Sequence, residues 1–136
     1  MAVSYVVDTS VITRLANAGV RSRLEQLDAG GLARVSITDL EIGFSARNAD
    51  EWDRLQASLA VFRRLDIEEG HFRRAAALQR SLAAAGLRGR KVPDLVIAAV
   101  AESSGHTVLH YDADFDHIAD MSGLEAEWVV PRGTIP

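Results

Sequence analysis

Five acidic residues stand at the ends or starts of regular apolar patterns in the chain: Asp8, Glu41, Asp94, Asp112 and Asp114. Two carboxylates about 4 Å apart repel each other by roughly 4 kcal/mol at an effective dielectric constant of 20. If the five lie together, they need protons or a cation. Mg²⁺ and Mn²⁺ suit such oxygen ligands, and the chemistry they favour is attack of water on a phosphodiester.

Each acid also has a purely structural interpretation. Asp8 and Asp112 could cap the helices that follow them. Glu41 stands three residues after Thr38, which is the spacing of a capping box, and Asp94 suits the positive end of a helix dipole. Taken singly, capping is favoured over catalysis. Taken together, the five favour a metal site, because a native domain has little stability to set against unrelieved repulsion.

Short strands alternating with helices must position these acids. Strands are predicted over 3–7, 33–37, 65–67, 107–110 and 125–130, and helices over 10–17, 20–29, 38–47, 50–64, 71–85, 93–103 and 113–119. This order predicts an α/β fold, with a mainly parallel sheet of about four to five short strands covered by helices on both faces. Ligands bind at the carboxyl ends of such strands, so the five acids can converge there.

Composition sets the class of protein. The chain has 136 residues with 48% hydrophobic content and a net charge of −4, which excludes dominant disorder and predicts one domain over 1–136. Residues 131–136 are expected to fray. The absence of cysteine excludes thiolate sites and disulfides. We expect no membrane span, because none of its apolar runs approaches about 20 residues. We also expect no secretory signal, and hence a cytoplasmic protein.

Several basic residues could contact a phosphate chain near the acids. Arg88, Arg90 and Lys91 precede Asp94 in a loop with Gly and Pro. A solvated loop is an equally good interpretation. Arg14 lies one helical turn after Ser10 and could face the acids or the solvent. Other residues are expected to have a purely structural role. Solvated helix faces are expected for Arg63, Arg64, Arg73 and Arg74, and core or interface positions for Trp52 and Trp128.

Four segments together resemble the PIN-domain ribonucleases, and their order and spacing are most similar to the VapC toxins of bacterial toxin–antitoxin pairs. The segments are 6–11, 36–43, 93–99 and 110–119. The resemblance covers nearly the whole chain and implies a three-layer α/β/α fold. It also implies that Asp8, Glu41 and Asp94 are metal ligands, and that Asp112 or Asp114 completes the site or orients the attacking water.

Further expectations follow from the same resemblance. One or two Mg²⁺ or Mn²⁺ ions would support hydrolysis of single-stranded or looped RNA, such as a tRNA or rRNA loop, leaving a 5′-phosphate and a 3′-hydroxyl. Ser10 matches the family's small hydroxyl residue. A VapB-like antitoxin, bound through apolar helix positions such as Val20, Leu24 and Phe62, and a homodimer are the implied protein partners. Such a toxin would inhibit translation and growth.

Two other classes of function remain open. An aspartate-based phosphotransfer domain would use Asp8 as a nucleophile, but Ser10 stands where a haloacid-dehalogenase-type enzyme has a second aspartate. The sole lysine, Lys91, lies in an Arg/Gly loop instead of at the strand end that a receiver domain requires. A non-catalytic PIN-fold binding module is disfavoured, because all five acids are in place.

Overall fold

Five short parallel strands form the sheet at the centre of the molecule. The structure, a computed structural model, describes residues 4–27, 31–87 and 89–136. The strands are β1 (Tyr5–Val7), β2 (Leu32–Val35), β3 (Arg63–Leu65), β4 (Thr107–His110) and β5 (Ala126–Trp128), in the spatial order β3-β2-β1-β4-β5. All four neighbouring pairs are parallel, so every strand ends at the same edge. The predicted α/β class with a parallel sheet is confirmed.

Helices cover both faces of this sheet. They are α1 (Thr9–Ile12), α2 (Ala18–Leu27), α3 (Ser36–Gly43), α4 (Ala49–Ser58), α5 (Glu69–Ala84), α6 (Val92–Ser104) and α7 (Asp114–Asp120). Successive strand side chains point to opposite faces. Val6 and Val108 pack under α5, α6 and α7, whereas Val7 and Leu109 pack under α1 and α2. The result is three layers with a core on each side of the sheet.

Helix α6 is the most buried helix of the described residues. Every residue from Asp94 to Ala101 is buried, which agrees with a sequence that is apolar on all sides. Gly105 ends the helix in the left-handed conformation, at φ 70°, where glycine carries no steric penalty. No helix in the described ranges is long and apolar enough to cross a membrane.

The predicted helix over 50–64 is wrong at its carboxyl end. Helix α4 stops at Ser58, a short 3₁₀ turn follows, and Arg63 and Arg64 lie exposed on the edge strand β3. The Arg34 side chain explains the break, because its guanidinium donates to the carbonyl oxygens of Leu59, at 2.9 Å, and Phe62. These carbonyls are therefore satisfied without a continued helix.

The end of the chain makes specific contacts. The backbone N–H groups of Gly133 and Ile135 each donate to Tyr111 Oη at 3.0 Å, and that hydroxyl donates to the carbonyl of Ile135 at 3.1 Å. The expected fraying of 131–136 stays a prediction, against which these three hydrogen bonds argue.

Candidate active site

Four of the five predicted acids line one cleft at the carboxyl edge of the sheet. Asp8, Glu41, Asp94 and Asp112 all face this cleft, whose volume is about 650 Å³. Asp114 lies beside them, since Asp94, Asp112 and Asp114 each offer a carboxylate oxygen within 4.8 Å of the other two. The structure thus brings together acids that are more than a hundred residues apart in sequence.

Asp8 follows β1 and is held by Ser10. Its Oδ2 accepts hydrogen bonds from the Ser10 backbone N–H, at 3.0 Å, and from Ser10 Oγ, at 2.6 Å. The capping interpretation of Asp8 is therefore correct and does not exclude a role in the site. The other oxygen, Oδ1, is buried and has no hydrogen-bond partner among the described residues. Burial raises the pKa of Asp8, although the bonds from Ser10 oppose that change.

Ser10 also joins two strand ends. Its Oγ accepts a hydrogen bond from the Tyr111 backbone N–H at 2.9 Å, just beyond β4. The backbone N–H of Asp8 in turn donates to the carbonyl of Leu109 at 2.9 Å. These two hydrogen bonds, one to Ser10 and one from Asp8, consequently fix the position of Asp8 beside the acids that follow β4.

Asp94 is the most perturbed acid of the cleft. It lies in the first turn of α6, is only 4% exposed, and its Oδ2 has no partner in the described part of the chain. Burial raises its pKa from 3.8 to about 8, and the neighbouring charge of Asp8 adds to the effect. Without a cation, Asp94 is therefore largely protonated at neutral pH.

Glu41 reaches the cleft from α3 and is held by a neighbouring hydroxyl. Thr9 Oγ1 donates to its Oε1 at 2.8 Å and lies 3.1 Å from Thr38 Oγ1. The predicted capping box of Thr38 and Glu41 is wrong, because α3 begins at Ser36 and Thr38 is buried inside it. Burial, followed by the charge of Asp8, raises the pKa of Glu41, and the bond from Thr9 lowers it in part.

Two basic residues of the loop before α6 are paired with the late acids. Lys91 Nζ lies 2.8 Å from Asp112 Oδ2, and Arg90 Nη1 lies 2.7 Å from Asp114 Oδ1. Burial alone would raise the pKa of Asp112, but the Lys91 ammonium and the Asp114 N–H bring it below its ordinary value. The Asp114 N–H donates to Asp112 Oδ1 at 3.0 Å, but the residue at the N-cap of α7 is Ala113, so the prediction that Asp112 is the cap is wrong by one residue. Arg88 lies outside the described residues.

The buried side chain of His110 binds the backbone of Asp112. Its ring is fully buried, 5.2 Å from the ring of Phe115 and 5.0 Å from that of Trp128. Its Nδ1 accepts a hydrogen bond from the Asp112 backbone N–H at 3.2 Å. Burial lowers its pKa to about 4, so the imidazole is neutral and can accept this bond.

Sequence reasoning missed several residues that line the same cleft. Tyr111, Trp128 and Arg132 lie beside the acids, together with Gly133 and Ile135. Tyr111 has a sequence signal in its position next to Asp112. Trp128 and Arg132 have none, because the approach of Trp128 depends on the pairing of β5 with β4 and that of Arg132 on how the chain folds back after β5. Arg14, predicted as a candidate, does line the cleft.

Comparison with known proteins assigns the family. The model of the PIN domain matches residues 5–121. The chain is 54% identical over 136 residues to ribonuclease VapC51 of Mycobacterium tuberculosis, and the alignment covers 99% of each protein. A chain of the DNA-bound VapBC structure from Salmonella typhimurium has the same fold, with a TM-score of 0.77 at 20% identity over 94% of this chain and 99% of that one. VapBC-5 from Mycobacterium tuberculosis is similar, with a TM-score of 0.70, 27% identity and coverage of 94% and 99%. The chain therefore belongs to the PIN-domain family and, within it, to the VapC ribonucleases.

Proposed function

We propose that this protein is a metal-dependent endoribonuclease that hydrolyses RNA phosphodiester bonds, and that it is the toxin of a toxin–antitoxin pair. The observation that carries the metal dependence is that Asp8 and Asp94 line one cleft and that each has a buried carboxylate oxygen, Asp8 Oδ1 and Asp94 Oδ2, without a partner among the described residues. A buried carboxylate oxygen without a partner is costly. A bound cation would remove that cost and allow both groups to be ionised side by side.

The donor set fits a hard divalent cation. The groups that face the cleft offer carboxylate oxygens, and such ligands suit Mg²⁺ or Mn²⁺ better than metals that prefer nitrogen or sulfur. We assign Asp8, Asp94 and Glu41 as ligands, directly or through water, with Asp112 and Asp114 beside Asp94, within 4.8 Å of its carboxylate. This set of five carboxylates is compatible with one ion or two.

The reaction that follows is hydrolysis by water. A cation held by these carboxylates would lower the pKa of a water and neutralise charge on the phosphate. Ser10 and Thr9 keep Asp8 and Glu41 oriented through the bonds described above. Asp112 or Asp114 orients the water, whose oxygen forms a bond to phosphorus as the bond to the 3′-oxygen breaks. The attacking water loses one proton and the 3′-oxygen takes one up, so the products carry a 5′-phosphate and a 3′-hydroxyl.

The cations near the cleft fall into two groups with respect to RNA. Arg14 lines the cleft and bonds only to the Ser10 carbonyl and the Thr13 hydroxyl in the described ranges, so its charge is free for a phosphate. Lys91 and Arg90 are paired with acids, and their contact with RNA requires that these pairs open. Contact through Ser10 and Arg88 stays a prediction. We propose an unpaired loop of tRNA or rRNA as substrate, because only unpaired RNA enters such a cleft readily.

We also propose a VapB-like antitoxin and a homodimer as protein partners. Relatives of this fold are described as VapBC complexes, and a cytoplasmic location follows from the RNA substrate. The apolar positions first considered for the antitoxin, Val20, Leu24 and Phe62, are buried in the core. Leu40 and Phe44 are better candidates: they lie four residues apart at the end of α3, 70% and 91% exposed, and exposed apolar pairs are typical of interfaces.

RNA cleavage with matched variants tests the enzymatic proposal. Protein freed of any partner is incubated with total cellular RNA, including tRNA, in Mn²⁺, Mg²⁺ or EDTA. We expect discrete cuts with metal and none in EDTA. Asp94→Asn should lose the cuts, and Asp66→Asn, which changes an exposed acid outside the cleft, should keep them.

Absence of cutting in every sample would contradict the ribonuclease proposal and favour a non-catalytic binding module. Binding of beryllofluoride at Asp8 would instead favour a phosphotransfer domain.

A further inference from the structure

We propose that Arg132 contacts the phosphate backbone of single-stranded RNA, and that Tyr111 positions it by holding residues 133–135 against the cleft. This inference rests on the proposed ribonuclease function and adds a second wall to the same cleft. It gives the end of the chain, a segment without a motif, a direct part in substrate binding.

The backbone of the segment is shaped around one hydroxyl. Tyr111 Oη is the hub of three hydrogen bonds, two from backbone N–H groups and one to a carbonyl. Gly133 adopts a φ of +85°, a conformation that glycine tolerates and other residues rarely adopt. Thr134 Oγ1 also donates to the carbonyl of Pro131 at 2.7 Å. The chain therefore turns back at Gly133, next to Arg132.

Four side chains form a row along this side of the cleft, which we call the basic–aromatic wall: Arg14, Tyr111, Trp128 and Arg132. The Arg14 guanidinium carbon lies 4.9 Å from the centre of the Tyr111 ring, and that of Arg132 lies 5.6 Å from the centre of the Trp128 ring. The two rings meet edge to face at 5.3 Å. Trp128 is anchored by Asp116, which accepts from its Nε1 at 3.2 Å.

The charges of this wall are available to a ligand. Within the described residues, neither Arg14 nor Arg132 forms an ion pair with a carboxylate, whereas Arg90 and Lys91 both do. An unpaired guanidinium binds phosphate oxygens in a planar, bidentate geometry. The acids of the cleft repel RNA, so the wall supplies the attraction that brings the polyanion to them.

The position of the two guanidinium groups over the aromatic rings favours binding of RNA through its phosphates, and disfavours stacking of RNA bases on the rings. One face of each ring is covered by a guanidinium, an arrangement that stabilises the position of the cation. The rings thus orient the two arginines. Contacts to phosphate fix the register of a strand and carry no sequence information, so we infer that Arg132 strengthens binding equally for different sequences.

The salt dependence of RNA binding tests this inference. A fluorescein-labelled single-stranded RNA of mixed sequence is titrated with the protein in EDTA, from low salt upwards, and binding is followed by anisotropy. The slope of log K against log salt is negative, and the loss of one phosphate contact makes it less steep by about 0.7. We expect this change in Arg132→Gln, recovery of the slope in Arg132→Lys, and no change in Arg73→Gln, an exposed arginine of α5 outside the cleft.

The role of Tyr111 is tested by a double variant. Tyr111→Phe removes the hydroxyl that holds the segment and should weaken binding of the same RNA. If Tyr111 acts through Arg132, its substitution in a background of Arg132→Gln should have no further effect. A purely structural role would give additive losses.

An unchanged slope in Arg132→Gln, or no measurable binding by the wild type at the lowest salt, overturns the inference. Cleavage of cellular RNA by the same preparation of wild-type protein would show that the proposed function survives that result.

Discussion

The burial of Asp94 predicts that the wild-type protein loses stability as the pH rises, and that Asp94→Asn removes the part of this loss that comes from Asp94. In the unfolded chain the carboxyl ionises above its ordinary pKa of 3.8, whereas in the folded protein it stays protonated up to about 8. Between these values the folded state holds one more proton than the unfolded state. The free energy of unfolding therefore falls with rising pH, by about 1.4 kcal/mol per pH unit from this group.

The comparison of two pH values isolates this effect. An asparagine at position 94 also leaves a buried polar group, which costs roughly 1–3 kcal/mol at any pH. We compare the free energy of unfolding of Asp94→Asn with that of the wild type, first at pH 7 and then at pH 5. The constant cost is present at both pH values and cancels when one difference is subtracted from the other. The variant should gain about 2.7 kcal/mol relative to the wild type over this interval.

Urea unfolding in EDTA measures this gain, with Asp66→Asn as the control for an exposed acid. Addition of Mn²⁺ should then stabilise the wild type more than Asp94→Asn, because a cation at about a hundred times its Kd stabilises the protein that binds it by about 2.7 kcal/mol. Parallel pH profiles for the wild type and Asp94→Asn would refute the account of Asp94 as a buried, cation-requiring acid.

Three further changes test individual contacts. Ser10→Ala should lower the rate of RNA cleavage about tenfold or more, because Asp8 loses the hydrogen bond from Ser10 Oγ and Tyr111 N–H loses its acceptor; a rate equal to that of the wild type would contradict this role. Lys91→Met should tighten Mn²⁺ binding by up to about fivefold in calorimetry, since an exposed ion pair of about 0.2–1 kcal/mol no longer competes for Asp112; weaker binding would count against competition. Phe44→Ser should leave the free energy of unfolding within about 0.5 kcal/mol of the wild type but weaken capture of a co-expressed antitoxin roughly tenfold; undiminished capture would exclude Phe44 from that interface.

The acids could be predicted because their signal is local. A carboxylate directly after a β-branched run, such as Asp8, is visible in the sequence, and parallel strands bring such positions to one edge. The start of α3 could not be predicted in the same way. No side chain caps it at Val35, so the usual polar signal is missing and Thr38 is a misleading substitute.

The remaining errors have a tertiary origin. The sequence over 50–64 has helical periodicity, but the helix ends after Ser58. The hydrogen bonds that end it come from Arg34 of β2, which is 25 residues away from Leu59 in sequence. The sequence does not predict a role for Arg132, because residues near a terminus are usually frayed. Its position depends on the hydroxyl of Tyr111, a contact that no pattern in the sequence encodes.

The hydrogen bond between Ser10 and Tyr111 has a consequence for the protein during its own synthesis. Asp8 emerges from the ribosome before Tyr111, Asp112 and Asp114, which follow it by more than a hundred residues. Strand β1 must wait for β4 to fill the position beside it, so a nascent chain that stops before β4 lacks both the late acids and the support for the first one. We therefore expect a nascent chain of this ribonuclease to be unable to cut RNA until β4 and the acids that follow it have been synthesised.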